Sequence, residues 1–186
     1  MPGTKVRVRF SNREICIPDG ALAAITGPGG RHLLRLIAGL PTPYAGKPII
    51  EPGAHGRPET ALAPAPPALL PWLTVEENIR YGLRMRRRPV EQQRDAARHF
   101  ARLLGITGYL TAWPDQVPER VRRRASIARA LTADPQILLC DQPRVVLDAA
   151  VWLSVCQAAR ARGQTLVYTD NGTGGLLPAC DCYIQL

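Results

Sequence analysis

Three short apolar segments, separated by helical patterns, restrict the fold of this chain more than any other feature of its sequence. They span residues 21–26, 136–140 and 165–169, and the last two are apolar on both faces, as central strands of a parallel sheet are. Between them, residues 90–104 and 147–161 place apolar side chains on one helical face. This alternation predicts an α/β fold with a mainly parallel sheet flanked by helices.

Length and composition fit one folded domain. The 186 residues, 46% hydrophobic and 21% charged, are enough to bury a core and are not typical of a disordered protein. We therefore predict a single domain over 1–186. Residues 72–118 carry helical patterns without strands and are predicted to form an inserted helical subdomain. Because no apolar run is long enough to span a bilayer and no signal peptide is recognisable, we expect a cytosolic protein.

A glycine-rich loop joins the first buried segment to a short apolar helix predicted at 33–40. The loop reads GPGG at 27–30. Backbone N–H groups in such a loop, together with the dipole of the following helix, bind phosphate groups. The candidate nucleotide-binding residues are therefore Gly27, Gly29, Gly30, Arg31 and His32. The alternative is a plain tight turn that only connects strand and helix.

Four segments allow a comparison with a known family. They read LLRLIAGL at 33–40, ALLPWLTVEENI at 68–79, IARAL at 127–131 and ILLCDQP at 137–143. In this order they resemble the ATP-binding subunits of ABC transporters, especially those of importers of the nitrate, sulfonate and taurine type. The resemblance covers nearly the whole chain and implies a P-loop NTPase-like ABC cassette. It also implies ATP and Mg²⁺ as ligands, and a membrane subunit or another cassette subunit as partner.

Within this resemblance, the loop that would bind the phosphates is altered. Gly30, Arg31 and His32 stand where the family has Lys, Ser and Thr, and the loop is about three residues shorter than the family pattern. The family's lysine cancels phosphate charge and its hydroxyl holds Mg²⁺, so both contributions are missing. Ala65 stands where the family has a glutamine that senses the metal and the γ-phosphate.

The positions that complete the family's catalytic site are altered too. Pro118 and Glu119 replace the serine and glycine that approach a partner's ATP, with the loss of a backbone donor and the gain of a negative charge. Gln142 occupies the position of the glutamate that polarises the attacking water, and an amide cannot act as a general base. Asp170 occupies the position of the histidine that contacts the γ-phosphate.

Two acidic motif residues, Asp141 and Asp148, still match the family. Asp141 is the candidate Mg²⁺ ligand, at the end of the strand that the family uses for metal binding. Either carboxylate can equally serve the fold alone, by accepting backbone N–H groups at a strand end or a helix start. We therefore predict no catalytic residue and no bound cofactor, with binding of ATP and Mg²⁺ as the alternative.

These changes predict a degenerate, non-catalytic cassette that acts as an accessory or regulatory subunit of a membrane transport complex. It would be cytoplasmic and peripheral at the inner face of the membrane. Residues 69–79, where family members contact the membrane subunit, are among the most family-like. Two alternatives remain: a divergent but working ATPase subunit with Arg31 in place of lysine, and an anion- or nucleic-acid-binding protein on the same scaffold.

The net charge of +9 is the feature that suggests nucleic acid, through arginine clusters at 84–88 and 120–124. However, no aromatic residues interleave with these clusters to stack bases. Arginine is also abundant along the whole chain, so we do not expect a nucleic-acid partner. The five cysteines show no metal-ligand spacing and are predicted to be reduced and structural.

Overall fold

The computed structural model describes residues 6–10, 13–43, 49–50, 59–170 and 180–186. In chain order the strands are β1 Val6–Phe10, β2 Arg13–Ile17, β3 Leu22–Thr26, β4 Ile49–Ile50, β5 Thr60–Ala63, β6 Ile137–Cys140, β7 Thr165–Thr169 and β8 Cys182–Gln185. The helices are α1 Gly30–Ile37, α2 Val75–Met85, α3 Val90–Leu103, α4 Glu119–Thr132 and α5 Ala149–Ala161. Short 3₁₀ turns lie at Thr107–Tyr109, Pro114–Gln116 and Pro143–Val145.

Five strands form an all-parallel sheet in the order β5-β6-β7-β3-β8. Every residue of β6 and β7 is buried, because elements pack on both faces of the sheet. One face packs against α2 to α5, and the other packs against α1 and a second sheet. The prediction of an α/β fold with a mainly parallel sheet and two buried central strands is confirmed.

The second sheet is antiparallel, with the strand order β2-β1-β4. Buried and less buried side chains alternate along β1, with Val6, Val8 and Phe10 buried. These side chains join Leu33 and Ile37 of α1 in one hydrophobic cluster. Phe10 is consequently placed beside the glycine-rich loop that precedes α1.

The connection from β5 to β6 consists of helices α2, α3 and α4 with no strand. These helices pack against one another through buried residues that include Ile79, Phe100 and Leu131. The helical content of residues 72–118 therefore agrees with the sequence pattern, while their standing as a separate subdomain remains a prediction. No helix in the described part of the chain is long and apolar enough to cross a membrane.

Helix α1 begins three residues earlier than the sequence pattern predicts, at Gly30 instead of Leu33. The amide of Leu33 donates to the Gly29 carbonyl at 3.0 Å, so the first helical turn already includes the end of the glycine-rich loop. The apolar pattern missed this turn because Gly30, Arg31 and His32 carry no apolar side chain that would extend it.

A reciprocal capping box between Thr74 and Glu77 fixes the start of α2. The Glu77 amide donates to Thr74 Oγ1 at 3.3 Å, and the Thr74 amide donates to Glu77 Oε2 at 2.9 Å. The hydrogen bond from the Thr74 backbone lowers the pKa of Glu77. A carboxylate with a lowered pKa stabilises the fold above its ordinary pKa of about 4.3, and this contribution is lost as the pH falls through the lowered value.

We expect Glu77→Ala to lower the free energy of unfolding by about 1 kcal/mol at neutral pH, because Glu77 Oε2 no longer accepts hydrogen bonds from the Thr74 amide and hydroxyl. The loss should shrink in acid, once the pH has fallen below the lowered pKa and the carboxylate of the parent protein is protonated. Urea unfolding at both pH values measures this difference. Glu76→Ala, in the same helical turn, is the control, and an equal loss for Glu77→Ala at both pH values would contradict the capping role.

Candidate functional site

The carboxyl ends of the parallel strands β3, β5, β6 and β7 meet at one edge of the sheet, where open α/β folds bind ligands. This edge contains a cavity of about 260 Å³. The residues lining it are Gly27, Pro28, Gly30, Arg31, His32, Asp141, Gln142, Thr169 and Asp170. The structure therefore brings the residues predicted from the sequence together in one place, apart from Gly29, which packs against a neighbouring side chain instead.

The glycine-rich loop is a tight turn packed on its outer side. The Gly30 amide donates to the Gly27 carbonyl at 3.3 Å, which closes the turn. A Cβ atom at Gly27 would lie 2.6 Å from the Leu186 carbonyl oxygen, and one at Gly29 would lie 2.9 Å from the Phe10 ring. Glycine is therefore required here by close packing as well as by the positive φ of Gly27, +103°. Phe10 is 4% exposed and belongs to the core.

Asp141 lies at the centre of the cavity and accepts three hydrogen bonds from the chain itself. Arg31 Nε donates to Asp141 Oδ2 at 2.8 Å, and the Ala65 amide donates to the same oxygen at 3.3 Å. Thr169 Oγ1 donates to Asp141 Oδ1 at 2.8 Å. The Asp141 side chain is 3% exposed and that of Arg31 is 50% exposed. Both oxygens of the buried carboxylate are thus engaged by protein donors.

A second ion pair joins Arg144, in the 3₁₀ turn Pro143–Val145 that follows β6, to Asp170, directly after β7. Arg144 Nη1 lies 2.5 Å from Asp170 Oδ2, and the Asp170 side chain is 6% exposed. The backbone amide of Gln142 donates to Thr169 Oγ1 at 2.9 Å. Gln142 itself has a φ of +50°, in the left-handed region. The two carboxylates at this edge of the sheet therefore each face an arginine of the same chain.

The four arginines at 120–124 donate hydrogen bonds to backbone carbonyls of the same chain. Arg123 Nη2 donates to the Gln142 carbonyl at 3.1 Å, and Arg124 Nε donates to the Val146 carbonyl at 2.9 Å. The other two arginines also donate to backbone carbonyls, Arg120 to Val146 and Arg122 to Pro114 and Val117. Burial lowers the pKa of Arg124. These contacts hold the chain that follows β6, and they account for the cluster without a nucleic-acid partner.

Asp148 and Pro118 both serve as helix N-caps. Asp148 Oδ1 accepts a hydrogen bond from the Val151 amide at 3.0 Å, and this bond lowers the pKa of Asp148. Pro118 precedes α4, and Glu119 in its first turn is exposed. The carboxylate of Asp148 thus has a structural partner, as the alternative based on the fold alone predicts.

The carboxylate that could hold a magnesium ion is already engaged by donors of the same chain. Mg²⁺ requires near-octahedral oxygen ligands, whereas both oxygens of Asp141 already accept hydrogen bonds from Arg31, Thr169 and Ala65. The start of α1 offers Gly30, Arg31 and His32, which contain no hydroxyl group. In the described part of the chain, no group of three or more His, Cys, Asp or Glu residues could hold a metal ion.

Sequence reasoning missed two residues of this site, Thr169 and Arg144. Thr169 bridges Gln142 and Asp141, and its place at the carboxyl end of a parallel strand is the signal that would have identified it. Arg144 lies in a 3₁₀ turn and carries no signal in the sequence, because its contact with Asp170 joins residues that are 26 positions apart.

Several known proteins are similar to this chain in sequence. A sequence profile described as ABC transporter matches residues 10–145. The sulfate/thiosulfate import ATP-binding protein of Mycolicibacterium paratuberculosis is 35% identical over 156 residues, which are 77% of this chain and 42% of that protein. The aliphatic sulfonates import ATP-binding protein of Mycobacterium avium is 37% identical over 155 residues, which are 78% and 59%. The chain spans about half the length of the curated relatives it matches.

The fold also matches a solved structure. The ATP-binding cassette MJ0796, in a dimeric post-hydrolysis state bound to ADP and Pi, aligns with a TM-score of 0.69 at 22% sequence identity. The alignment covers 89% of this chain and 87% of that chain. At this identity the likeness establishes the fold alone, and it confirms the prediction of a P-loop NTPase-like cassette.

Proposed function

The chain belongs to the ABC transporter family, and within that family we propose that it is a cassette without ATPase activity, an accessory or regulatory subunit of a membrane transport complex. The observation that carries this proposal is the contact of Arg31 Nε with Asp141 Oδ2 at 2.8 Å. Asp141 is the carboxylate that matches the family's metal-side residue. In this chain the guanidinium of Arg31 lies beside that carboxylate.

Charge balance in the cavity supports the proposal. Asp141 and Asp170 are both buried, and each is paired with an arginine of the same chain. Their negative charges are therefore compensated without a metal ion or a ligand. To bind between the glycine-rich loop and Asp141, Mg²⁺ with a nucleotide would have to displace Arg31. The guanidinium and the carboxylate would then each need a new partner. Breaking such a pair is costly, because the carboxylate is buried.

The residues that would perform catalysis are also changed. Gln142 cannot accept a proton from water, and the carboxylate of Asp170 would repel a γ-phosphate instead of donating a hydrogen bond to it. Loss of a single electrostatic donor typically lowers an enzymatic rate about 10²–10³-fold. Several losses in one site, together with a closed tight turn in place of a phosphate-binding loop, leave turnover of ATP without a structural basis.

The proposed contact with a membrane subunit involves the segment before and within α2, residues 69–79. This segment is held from inside by Asn78, which is fully buried and binds Leu70, Leu73 and Thr74 through its side chain. Trp72 on its outer side is 67% exposed. A rigid segment with a large exposed aromatic side chain is suited to contact a partner protein. Such a partner would place the chain at the inner face of the cytoplasmic membrane.

A second candidate function, a divergent but working ATP-binding subunit, is favoured by a different observation. The two relatives compared above carry names that describe them as import ATP-binding proteins, and they are 35% and 37% identical to this chain. In this case Arg31 would leave Asp141 when nucleotide binds and would contact a phosphate instead. The alternative of a general anion- or nucleic-acid-binding protein has less support, because arginines 120–124 are directed at backbone carbonyls.

Equilibrium binding of a fluorescent ATP analogue to the purified chain, with and without Mg²⁺, separates the two candidates. We expect no saturable binding up to high micromolar concentrations, and the cassette whose structure contains ADP and Pi serves as positive control. We further expect Gln142→Glu combined with Asp170→His to remain without ATP hydrolysis, because Arg31 and the short loop are unchanged. Mg²⁺-dependent binding that Asp141→Ala abolishes would refute the proposal and establish the divergent ATP-binding subunit.

A further inference from the structure

The two arginine clusters of the sequence lie in different environments. The cluster at 120–124 binds backbone carbonyls inside the fold, as described above. By contrast, all four arginines at 84–88 are exposed. Arg86 contacts Glu59 and the Ala133 carbonyl, and among the described residues it is the one member of this cluster whose guanidinium is hydrogen-bonded. A concentrated positive charge is therefore presented to solvent by residues 84–90, which we call the basic loop.

The basic loop is held in a fixed conformation. The Arg87 amide donates to the Arg84 carbonyl and the Arg88 amide to the Leu83 carbonyl, each at 3.0 Å, a double hydrogen bond that ends α2. The buried side chain of Gln93 donates from Nε2 to the Arg88 carbonyl at 2.6 Å. The loop does not have to be ordered when a partner binds, which reduces the entropic cost of binding.

Arg87 occupies a position where glycine is strongly favoured. It directly follows the C-cap of α2 and has a φ of +54°, in the left-handed region. A side chain with a Cβ atom is strained there, and strain that is retained at an exposed position points to a function of that side chain. The guanidinium of Arg87 makes no hydrogen bond within the described residues that would explain its retention on structural grounds.

Two exposed apolar side chains flank these arginines. Met85 is 56% exposed at the end of α2, and Val90 is 51% exposed at the start of α3. Arginines next to exposed aliphatic side chains match the interface of a membrane, where anionic headgroups meet the ends of the acyl chains. Single-stranded nucleic acid would instead require aromatic side chains for base stacking, and residues 84–90 contain none. The nearby carboxylate of Glu91 lies 3.8 Å from Arg94, so it is itself paired.

We propose that the basic loop binds an anionic lipid surface. The inference rests on the proposed function in one respect, since a membrane subunit would bring the chain close to lipid headgroups. Arg84, Arg87 and Arg88 would contact the headgroups, and Met85 and Val90 would reach the boundary of the acyl chains. Juxtamembrane basic residues attract anionic leaflets by the same electrostatic mechanism.

Cosedimentation of the purified full chain with protein-free vesicles tests this proposal. Vesicles of phosphatidylglycerol and phosphatidylcholine should bind the chain, and vesicles of phosphatidylcholine alone should not. We expect Arg87→Gly to weaken binding about fivefold, the effect of removing one arginine from an anionic surface. The same substitution should leave the melting temperature unchanged or raise it, because glycine relieves the positive φ. Weaker lipid binding by a protein that is at least as stable cannot result from misfolding.

Arg9→Gln is the matched control, because Arg9 is an exposed arginine on β1, outside the basic loop. Equal weakening by Arg9→Gln and Arg87→Gly would refute a specific site and leave only the effect of net charge. Met85→Ser should also weaken binding, since its aliphatic contact is lost. Binding of polyuridylate that depends on Arg87 and exceeds the binding of anionic vesicles would overturn the proposal in favour of nucleic acid. The vesicles contain no membrane subunit and no nucleotide is added, so their result and that of the ATP-binding experiment are separable.

Discussion

Arg31→Ala is expected to lower the free energy of unfolding by about 2–3 kcal/mol, because it leaves the buried carboxylate of Asp141 without its cation. The Asp141 side chain is 3% exposed, so water cannot replace the guanidinium fully. The loss falls at the low end for a broken buried pair, since Arg31 is half exposed and Asp141 keeps the hydrogen bonds from Thr169 and Ala65. Urea unfolding at neutral pH measures the change.

Two further variants test whether the loss of stability in Arg31→Ala comes from the ion pair with Asp141. Arg35→Ala, on the same helix, removes an exposed arginine whose guanidinium donates to the Pro41 carbonyl, and it should change stability by less than about 0.5 kcal/mol. Asp141→Asn combined with Arg31→Ala should recover much of the loss, because no buried charge then remains. If Arg31→Ala were as harmless as Arg35→Ala, the ion pair would not define this site, and the main argument against metal binding would be lost.

Asn78→Ala is expected to lower the free energy of unfolding by about 2–4 kcal/mol, because the fully buried side chain makes four hydrogen bonds with backbone groups. Asn78 Oδ1 accepts from the Leu70 amide at 2.8 Å, and its Nδ2 donates to the carbonyls of Leu70, Leu73 and Thr74 at 2.9–3.0 Å. We also expect faster amide hydrogen exchange in residues 70–74, which the side chain holds in place.

Asn78→Asp is a matched variant of nearly the same shape. It replaces the amide donor with a carboxylate oxygen that faces three carbonyls, so the hydrogen bonds to Leu70, Leu73 and Thr74 are lost. Oδ1 can still accept from the Leu70 amide and from Arg129, whose Nη1 lies 3.5 Å away. The variant should therefore also be less stable than the parent at neutral pH, because the three carbonyls face an oxygen that cannot donate. Gln92→Ala, an exposed amide on α3, is the control for surface effects.

The periodicity of apolar residues is sufficient by itself to predict most of the fold. The strands at Ile137–Cys140 and Thr165–Thr169 and the capping box at Thr74 follow from local sequence, because alternation and hydrogen-bonding side chains act over a few residues. The resemblance to ABC cassettes also assigned Asp141, Gln142 and Asp170 to positions of the family's catalytic site. Local patterns did not predict the first turn of α1, because its first three residues, Gly30, Arg31 and His32, carry no apolar side chain.

What only the tertiary structure decided is the partner of each charged side chain. The sequence contains two similar arginine clusters, yet all four arginines at 120–124 bind carbonyls, whereas among the described residues Arg86 alone does so in the cluster at 84–88. It contains Arg31 and Asp141, but their contact joins side chains 110 positions apart. Arginine has a long flexible side chain whose partner depends on which backbone and carboxylate groups the packed core brings within reach. The sequence alone therefore identified the positions at which this chain differs from the family pattern, and the packing of α1 against the sheet determined which side chains meet there.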